Sequence, residues 1–370
     1  MVAAASVVVA IGTATGMIQA VGDGRGSDEA RPEVTGTPLL EPLPAVPSAS
    51  PSPTPAPPSA TPSKKPPPKP SPSRTATKRQ PASASPGLYR HPESRVLDWV
   101  RAHPGDPRRA VIESRIADRP AAVWFADYTP DTVTARVRAV TSGGAAQGRV
   151  PVLVPYAIPD RDCGGHSQGG APDLDAYDGW IDRFAAGLGG GEVIVVLEPD
   201  SVAQAECLSA GARADRFASL ARAGRVIKQA NPRARVYFDA GHSGWNAPAR
   251  QAAWLRQAGA ASSASSDGVF SNVSNFHSTA DEIAHNRRVL DALGGSGLGA
   301  VIDTSRNGAG APADGEWCDP AGRKLGRAPT LDTGEARIDA YLWVKLPGES
   351  DGCKGAPGTF TPSYAYDLAR

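Results

Sequence analysis

A parallel (β/α) barrel of seven strands is the α/β fold that the sequence predicts, on three observations. Short apolar runs alternate with helical stretches from about residue 121 to residue 345. The run at the centre, Val193-Ile-Val-Val-Leu197, is apolar at every position and mostly β-branched. Polar side chains, carboxylates above all, gather just after the runs. Regular strand–helix alternation means a parallel sheet, and a run apolar throughout means a strand buried on both faces. Seven such units suit a barrel, whose loops after the strands share one rim.

Composition divides the 370 residues before any element is drawn. Residues 1–86 are rich in Pro, Ser, Thr and Ala and hold no aromatic side chain, while every tryptophan lies beyond residue 98. Within them, 1–22 is an apolar stretch that reads as a secretory signal peptide or an N-terminal membrane anchor. Residues 23–86 read as a disordered linker, extended as polyproline II where proline is dense, able to tether the rest to a membrane or cell wall. The remainder, 87–370, is large enough for a single α/β domain with a full core. Eight of the 39 Lys and Arg and five of the 38 Asp and Glu lie in 1–86, which leaves the remainder close to −2. That remainder shows no polybasic face, and the basic cluster Lys64–Arg79 sits in the linker, so no nucleic-acid partner is expected. Four cysteines (Cys163, Cys207, Cys318, Cys353) fit two disulfides in an exported, extracellular or cell-surface protein, expected as a monomer.

The strands are expected at Ala121–Phe125, Pro151–Tyr156, Val193–Leu197, Arg235–Phe238, Gly268–Asn272, Gly299–Ile302 and Ala340–Lys345. Arg95–Ala102 and Ile112–Ile116 look helical ahead of them. Between them helices are expected at Pro130–Val140 (Thr129 as cap), Leu174–Leu188, Ala210–Gln229, Ala247–Gly259, Ala280–Leu293 and Asp332–Ile338. Trp99, Trp180, Trp254 and Trp343 fall inside these patterns and are assigned to the core.

The functional signal lies in the residues just after each run. The first run carries Trp124 and Asp127; the second leads to Tyr156 and Asp160-Arg-Asp162; the third ends on Glu198-Pro-Asp200. The fourth gives Asp239 and His242-Ser-Gly-Trp245, and the fifth Asn275-Phe-His277. The sixth gives Asp303-Thr-Ser-Arg306-Asn307, and the seventh Lys345, Glu349 and Asp351. A lone Asp200 would read as the cap of a helix starting at Ser201. Carboxylates after six of the seven runs, interleaved with Trp124, Trp245 and Trp317, read as a site instead. No clustered His and Cys suggests zinc, no nucleophile elbow is present, and no EF-hand or phosphate-cradling loop occurs, so neither metal nor cofactor is expected. Carboxyl pairs suit acid–base cleavage of a glycosidic bond, and flat indole faces stack on pyranose rings. A barrel that binds glucan without cutting it is the weaker reading, because the carboxylates are all in place.

Seven ordered motifs carry a resemblance. Asp160-Arg-Asp-Cys-Gly-Gly-His-Ser-Gln-Gly-Gly170, Glu198-Pro-Asp-Ser201, Asp239-Ala-Gly-His-Ser-Gly-Trp245 and Asn272-Val-Ser-Asn-Phe276 are four of them. Asp303-Thr-Ser-Arg-Asn-Gly308, Glu316-Trp-Cys318 and Trp343-Val-Lys-Leu-Pro-Gly-Glu-Ser-Asp-Gly352 complete the set. From about residue 87 onward the chain resembles glycoside hydrolase family 6, the inverting β-1,4-glucanases. The resemblance implies a distorted barrel and an endo-acting cellulase whose partner is a β-1,4-glucan chain. It implies Asp200 as general acid, Asp162 as the neighbour that tunes it and relays a proton, Asp351 as base and Asp239 as a supporting carboxylate, with Tyr156 under the distorted sugar. Trp124, His242, Trp245, Asn275, Trp317, Lys345 and Glu349 match sugar-binding positions, and the disulfides pair as Cys163–Cys207 and Cys318–Cys353. Gln168 departs from the small residue usual there. Tunnel enzymes of this family carry a long lid between the base and the chain end, where residues 352–361 leave little room, so an open cleft is expected.

Overall fold

Residues 87–295 and 297–370 are described by a computed structural model of the chain. The segments 1–22 and 23–86, with the basic cluster 64–79, lie outside the described residues. Seven strands form one parallel sheet in sequence order: β1 Val123–Phe125, β2 Val152–Pro155, β3 Val193–Leu197, β4 Ala234–Asp239, β5 Gly268–Ser271, β6 Gly299–Asp303 and β7 Ile338–Leu342. Alternation explains the unbroken apolar run of β3. Val193, Val195 and Leu197 pack outward under the helices, whereas Ile194 and Val196 fill the barrel interior with Val154, Tyr237 and Phe270. Both faces are dry, so both must be apolar.

The sheet curls but does not close. Thr330 occupies the free edge of β7 by exchanging two backbone hydrogen bonds with Tyr341 (2.9 and 3.0 Å). Just beyond β7, Trp343 C=O accepts from Ala122 N–H (2.9 Å) and Val344 C=O from the Trp124 indole N–H (2.7 Å). No ladder joins β1 to β7 among the described residues. A distorted, incomplete barrel results, with a seam between its first and last strands.

The helices are α1 Arg95–Ala102, α2 Arg109–Ile112 (continued by a π turn, Glu113–Ala117), α3 Val133–Ala146, α4 Leu174–Ala185, α5 Ala210–Ala230, α6 Pro248–Gln257, α7 Thr279–Leu293 and α8 Pro362–Ala369. Side-chain caps begin four of them: Ser94, Asp173, Ser209 and Ser278 each accept a first-turn N–H. Two expectations fail for identifiable reasons. First, α3 starts three residues late, because Thr129 C=O holds Thr132 and Val133 N–H in a preceding turn. It then runs on through two glycines, which packing requires: a Cβ on Gly143 would meet the Tyr89 hydroxyl at 2.4 Å, and one on Gly144 would meet Pro151 at 2.9 Å. Second, Asp332–Ile338 is not a helix. The Thr333 hydroxyl accepts from Glu335 N–H (3.1 Å) and donates to Ile338 C=O (2.6 Å), bending the chain into β7. The alternative reading of Asp200 as a cap finds no helix at Ser201; turns lead to the short 3-10 turn Ala205–Cys207 and only then to α5. α8 went unforeseen; with α1 and the π turn it packs around Trp99 and Trp343. Trp99, Trp180 and Trp343 are buried as expected. Trp254 is half-buried, and the Arg250 guanidinium covers its ring.

The barrel is tightest where β5 and β6 begin. Gly268 has φ +147°, and a Cβ there would fall 1.8 Å from the Gly299 carbonyl oxygen. Gly268→Ala is expected to lower stability by about 1–3 kcal/mol through overpacking, seen as a lower urea midpoint with an unchanged slope. A midpoint equal to that of the parent chain would refute this packing.

Candidate active site

The strand exits on the β2–β4 side bring three carboxylates together. Glu198 (φ +49°) and Asp200 (φ +68°) are both left-handed and flank Pro199, a strained corner that turns Asp200 toward the barrel mouth. Strain of this kind needs support, and Glu198 supplies it. Its buried carboxylate accepts the N–H groups of Ala157 (2.9 Å) and Ile158 (3.0 Å), tying the exit of β3 to that of β2. Asp239, at the end of β4, is also buried and accepts three backbone N–H groups, from Val202 (3.1 Å), Ala203 (2.7 Å) and Gly241 (2.9 Å). It therefore organises the loop after Asp200. Burial pushes its carboxyl up to about 6 against those three donors.

Asp200 is not a helix cap. Burial raises its carboxyl well above the usual range, and the negative charges of Asp239 and Asp162 add to the effect, offset in part by the Tyr156 hydroxyl. Asp162 and Cys163 are left-handed too (φ +58° and +47°). The Cys163–Cys207 disulfide fastens their loop to the segment after β3. Asp162 Oδ2 accepts from Ser167 N–H (2.8 Å) and Ser167 O–H (2.9 Å), and Ser167 Oγ lies 2.9 Å from the Tyr156 hydroxyl. A hydrogen-bonded line thus runs from Asp162 through Ser167 to Tyr156. Burial, with Asp200 and Asp162 nearby, keeps the Tyr156 phenol protonated.

Asp351 sits across the mouth, after β7. Its Oδ2 accepts from Arg306 Nη1 (2.7 Å) and Asp319 N–H (3.1 Å), and its Oδ1 pairs with Lys345 Nζ (2.9 Å). Arg306 is fully buried, spans to Ser274 C=O and covers the Phe276 ring. Asp303 sets this side by accepting Ser305 N–H (2.9 Å) and Lys345 N–H (2.9 Å). The second disulfide, Cys318–Cys353, joins the loop of Trp317 to that of Asp351.

These groups face one cleft of about 1440 Å³ along the seam. Asp162, Asp200, Asp351 and Tyr156 line it, as do Trp124, His242, Trp245, Asn275, Trp317, Lys345 and Glu349. Of the residues expected to act in catalysis or to bind sugar, only Asp239 does not; it lies beneath, holding backbone. Trp245 (36 % exposed) and Trp317 (51 %) are the two exposed large apolar side chains among the described residues. Trp124 meets Tyr156 edge to face at 5.3 Å. His242 stacks on His277 at 4.2 Å and is pushed down to about 3 by burial and by its histidine neighbours. Being neutral, with Nδ1 accepting from Gly244 N–H (3.2 Å), it carries its proton on Nε2 as a donor. Glu349 is pushed up to about 7, chiefly by burial, although Lys345 draws it down.

Carboxylates in this order on the strand exits, with paired disulfides and open indole faces, match a known sequence profile. That of the glycosyl hydrolases family 6 fits residues 85–365. The chain belongs to this family. It is 51% identical over 298 residues to Endoglucanase 1 of Streptomyces sp. (strain KSM-9), covering 80% of this chain and 82% of that one. It is 48% identical to Endoglucanase A of Thermobispora bispora over 78% of this chain, and spans 64% of the length of that relative. Among solved structures, the endoglucanase Cel6 from Mycobacterium tuberculosis superposes with a TM-score of 0.71 at 39% identity, covering 77% of this chain and 97% of that one. That enzyme was solved in complex with methyl-cellobiosyl-4-deoxy-4-thio-β-D-cellobioside.

Ser167, His277, Arg306 and Asp319 are among the residues that contact this candidate site without a role legible in the sequence. Arg306 and His277 stand in polar clusters after runs six and five, and that position was their available signal. Ser167 and Asp319 had none beyond lying in or beside the matched motifs, since their partners come from other loops.

Glu198 predicts a pH effect on stability. Burial raises its carboxyl from 4.5 to about 7 despite the Ala157 and Ile158 donors. A group raised on folding lends stability below its unfolded pKa that is lost as pH climbs through the folded one. Glu198→Gln removes this titration and keeps an acceptor for Ala157 and Ile158. Its stability is expected to fall less steeply than that of the parent chain between pH 4.5 and about 7. Chemical denaturation across that window checks this, and parallel curves would contradict it.

Proposed function

We propose that this family 6 hydrolase is an endo-β-1,4-glucanase that cuts internal bonds of cellulose or a related β-glucan with inversion, using Asp200 as acid and Asp351 as base. The observation that carries this is Asp200 at a cleft with open tryptophan faces, its carboxyl raised well above the usual range by burial and by the charges of Asp239 and Asp162. The endoglucanase relatives at 51% and 48% identity support it.

Glucose rings stack on Trp245, Trp317 and Trp124. His242 Nε2–H, Asn275, Lys345 and Glu349 offer hydrogen bonds to their hydroxyls, and Tyr156 supports the ring whose bond breaks. Asp200 gives its proton to the glycosidic oxygen as the C1–O bond opens. Water attacks C1 from the opposite face and its proton passes to Asp351, so an α product forms from a β bond. The Asp162–Ser167 pair offers a relay on the same side as Tyr156. Once the products leave, Asp200 regains its proton from solvent and Asp351 releases one.

Internal cutting is the consequence of an open cleft. Residues 352–361 fold flat against Gly348–Ser350: Ser350 N–H donates to Thr359 C=O (2.9 Å), Gly358 N–H to Ser350 C=O (2.9 Å) and Thr361 N–H to Gly348 C=O (2.8 Å). A segment held this way has no length left to arch over a sugar chain. Two disulfides suit an extracellular setting. Attachment to the membrane or wall through 1–86, and a monomeric state, complete the proposal.

Asp200→Asn is expected to lose several orders of magnitude of kcat on unactivated glucan, and much less on an aryl cello-oligosaccharide whose leaving group needs little protonation. Equal losses on both would remove Asp200 as the acid. In viscometry of soluble glucan, viscosity is expected to collapse well before reducing ends accumulate, and NMR of fresh product to show the α-anomer first. Viscosity falling only in proportion to reducing ends would point to chain-end attack, and β product first would rule out inversion.

A further inference from the structure

Asp319 touches no part of the cleft yet is the most heavily hydrogen-bonded side chain near Asp351. It is 1% exposed and left-handed (φ +51°). Its Oδ1 accepts Asp351 N–H (2.7 Å). Its Oδ2 accepts Ser350 O–H (2.6 Å), Lys354 N–H (2.8 Å) and Cys353 N–H (3.0 Å). In return its own N–H donates to Asp351 Oδ2 (3.1 Å). Five hydrogen bonds thus join one residue to the loop 350–354, and two of them clasp Asp351 by its backbone and its carboxylate.

The neighbouring disulfide does not perform this task. It holds Cys353, two residues beyond Asp351, and Gly352 lies between them at φ +135°, where rotation is easy. An anchor at Cys353 sets where the loop is; Asp319 sets which way Asp351 points. We propose that Asp319 is the positioning residue for Asp351, an acceptor-only hub that fixes the orientation of the base carboxylate relative to Arg306, Lys345 and the cleft. This inference rests on reading Asp351 as the base. An ionised carboxylate is the side chain the hub needs, since four donors converge on it and an amide would turn N–H toward N–H. Burial opposes that charge, but the donors from Ser350, Asp351, Lys354 and Cys353 outweigh it and bring the carboxyl down to about 2, so it stays ionised wherever the enzyme works.

The test is Asp319→Asn in the full chain, assayed on unactivated glucan and on an aryl cello-oligosaccharide, alone and combined with Asp351→Asn. A misdirected base is expected to cost about 100-fold in kcat, with KM little changed. The loss should be similar on both substrates, because base action, unlike acid action, is needed whatever the leaving group. It should largely vanish in the Asp351→Asn background, since two changes acting through one group do not add. Equal losses with and without Asp351 would mean a general structural effect and overturn the proposal. So would full activity of Asp319→Asn where Asp351→Asn is inactive. If Asp351→Asn itself keeps full kcat, the base assignment fails first and the Asp319 role with it. Should Asp319→Asn not fold, Ser350→Ala removes a single donor to the same carboxylate. A smaller loss, equal on both substrates, is expected there, and undiminished activity would refute the role.

Discussion

Asp162, Asp200 and Asp239 stand at the exits of β2, β3 and β4, where burial, with the charges of Asp239 and Asp162 added to it, opposes ionisation of Asp200. The rest of the site depends on how that conflict is resolved. Asp239 is surrounded by three peptide N–H groups, which favour its charge, and Asp162 by the N–H and O–H of Ser167. Asp200 has no such backbone donors among its hydrogen bonds and faces the cleft, so the proton settles on it. The proposed acid is thereby made from an ordinary aspartate, by burial and by uneven sharing of donors within one cluster.

Holding the cluster together demands rigidity at the places where the chain is least comfortable. Asp160, Asp162, Cys163, Glu198 and Asp200 are all left-handed without being glycine, and such residues persist only where their surroundings over-determine them. Glu198, Asp239 and the Cys163–Cys207 bridge provide that surrounding on one side of the mouth. On the other, Arg306 and Asp351 form a buried ion pair whose desolvation is compensated by Lys345, by Ser274 C=O and by the Asp319 hub. The proposed acid and base are thus mounted by different devices. Backbone donors and strain hold the first; side-chain ion pairs and one carboxylate hub hold the second.

The unclosed barrel joins these two mountings. Because Thr330 already occupies the outer edge of β7, β1 meets the last strand through single hydrogen bonds at Ala122 and Trp124 rather than through a ladder. The gap becomes the long cleft, with Trp124 and Trp343 at its walls and Trp245 and Trp317 open to solvent. A chain of flat, hydroxylated rings is the shape such a groove accommodates.

Strand positions, the rim and most of the residues that face the cleft were legible in the chain itself, because each rests on local chemistry. β3 betrays itself by five apolar residues in a row, Pro199 stops it, and a carboxylate comes next in nearly every unit. Cap residues such as Asp173 and Ser278 mark helix starts for the same reason. Features that the chain alone left open depend on partners remote in sequence. The expected helix 130–140 stops short of Gly143 and Gly144, which α3 crosses because Tyr89 and Pro151 pack against them, and the expected helix 332–338 gives way to a bend held by the Thr333 hydroxyl. Asp200 could be named from its neighbours, but the burial that raises its carboxyl comes from the fold, and the charges that add to it sit on Asp239 and Asp162, 39 and 38 positions away in the numbering. Arg306 and Asp319, 45 and 32 residues from Asp351, acquire their roles only when the loops after β6 and β7 meet. Local pattern decides which residues reach the rim; charge and hydrogen bonding act through space, so only the folded chain decides which of them ionise and which way they point.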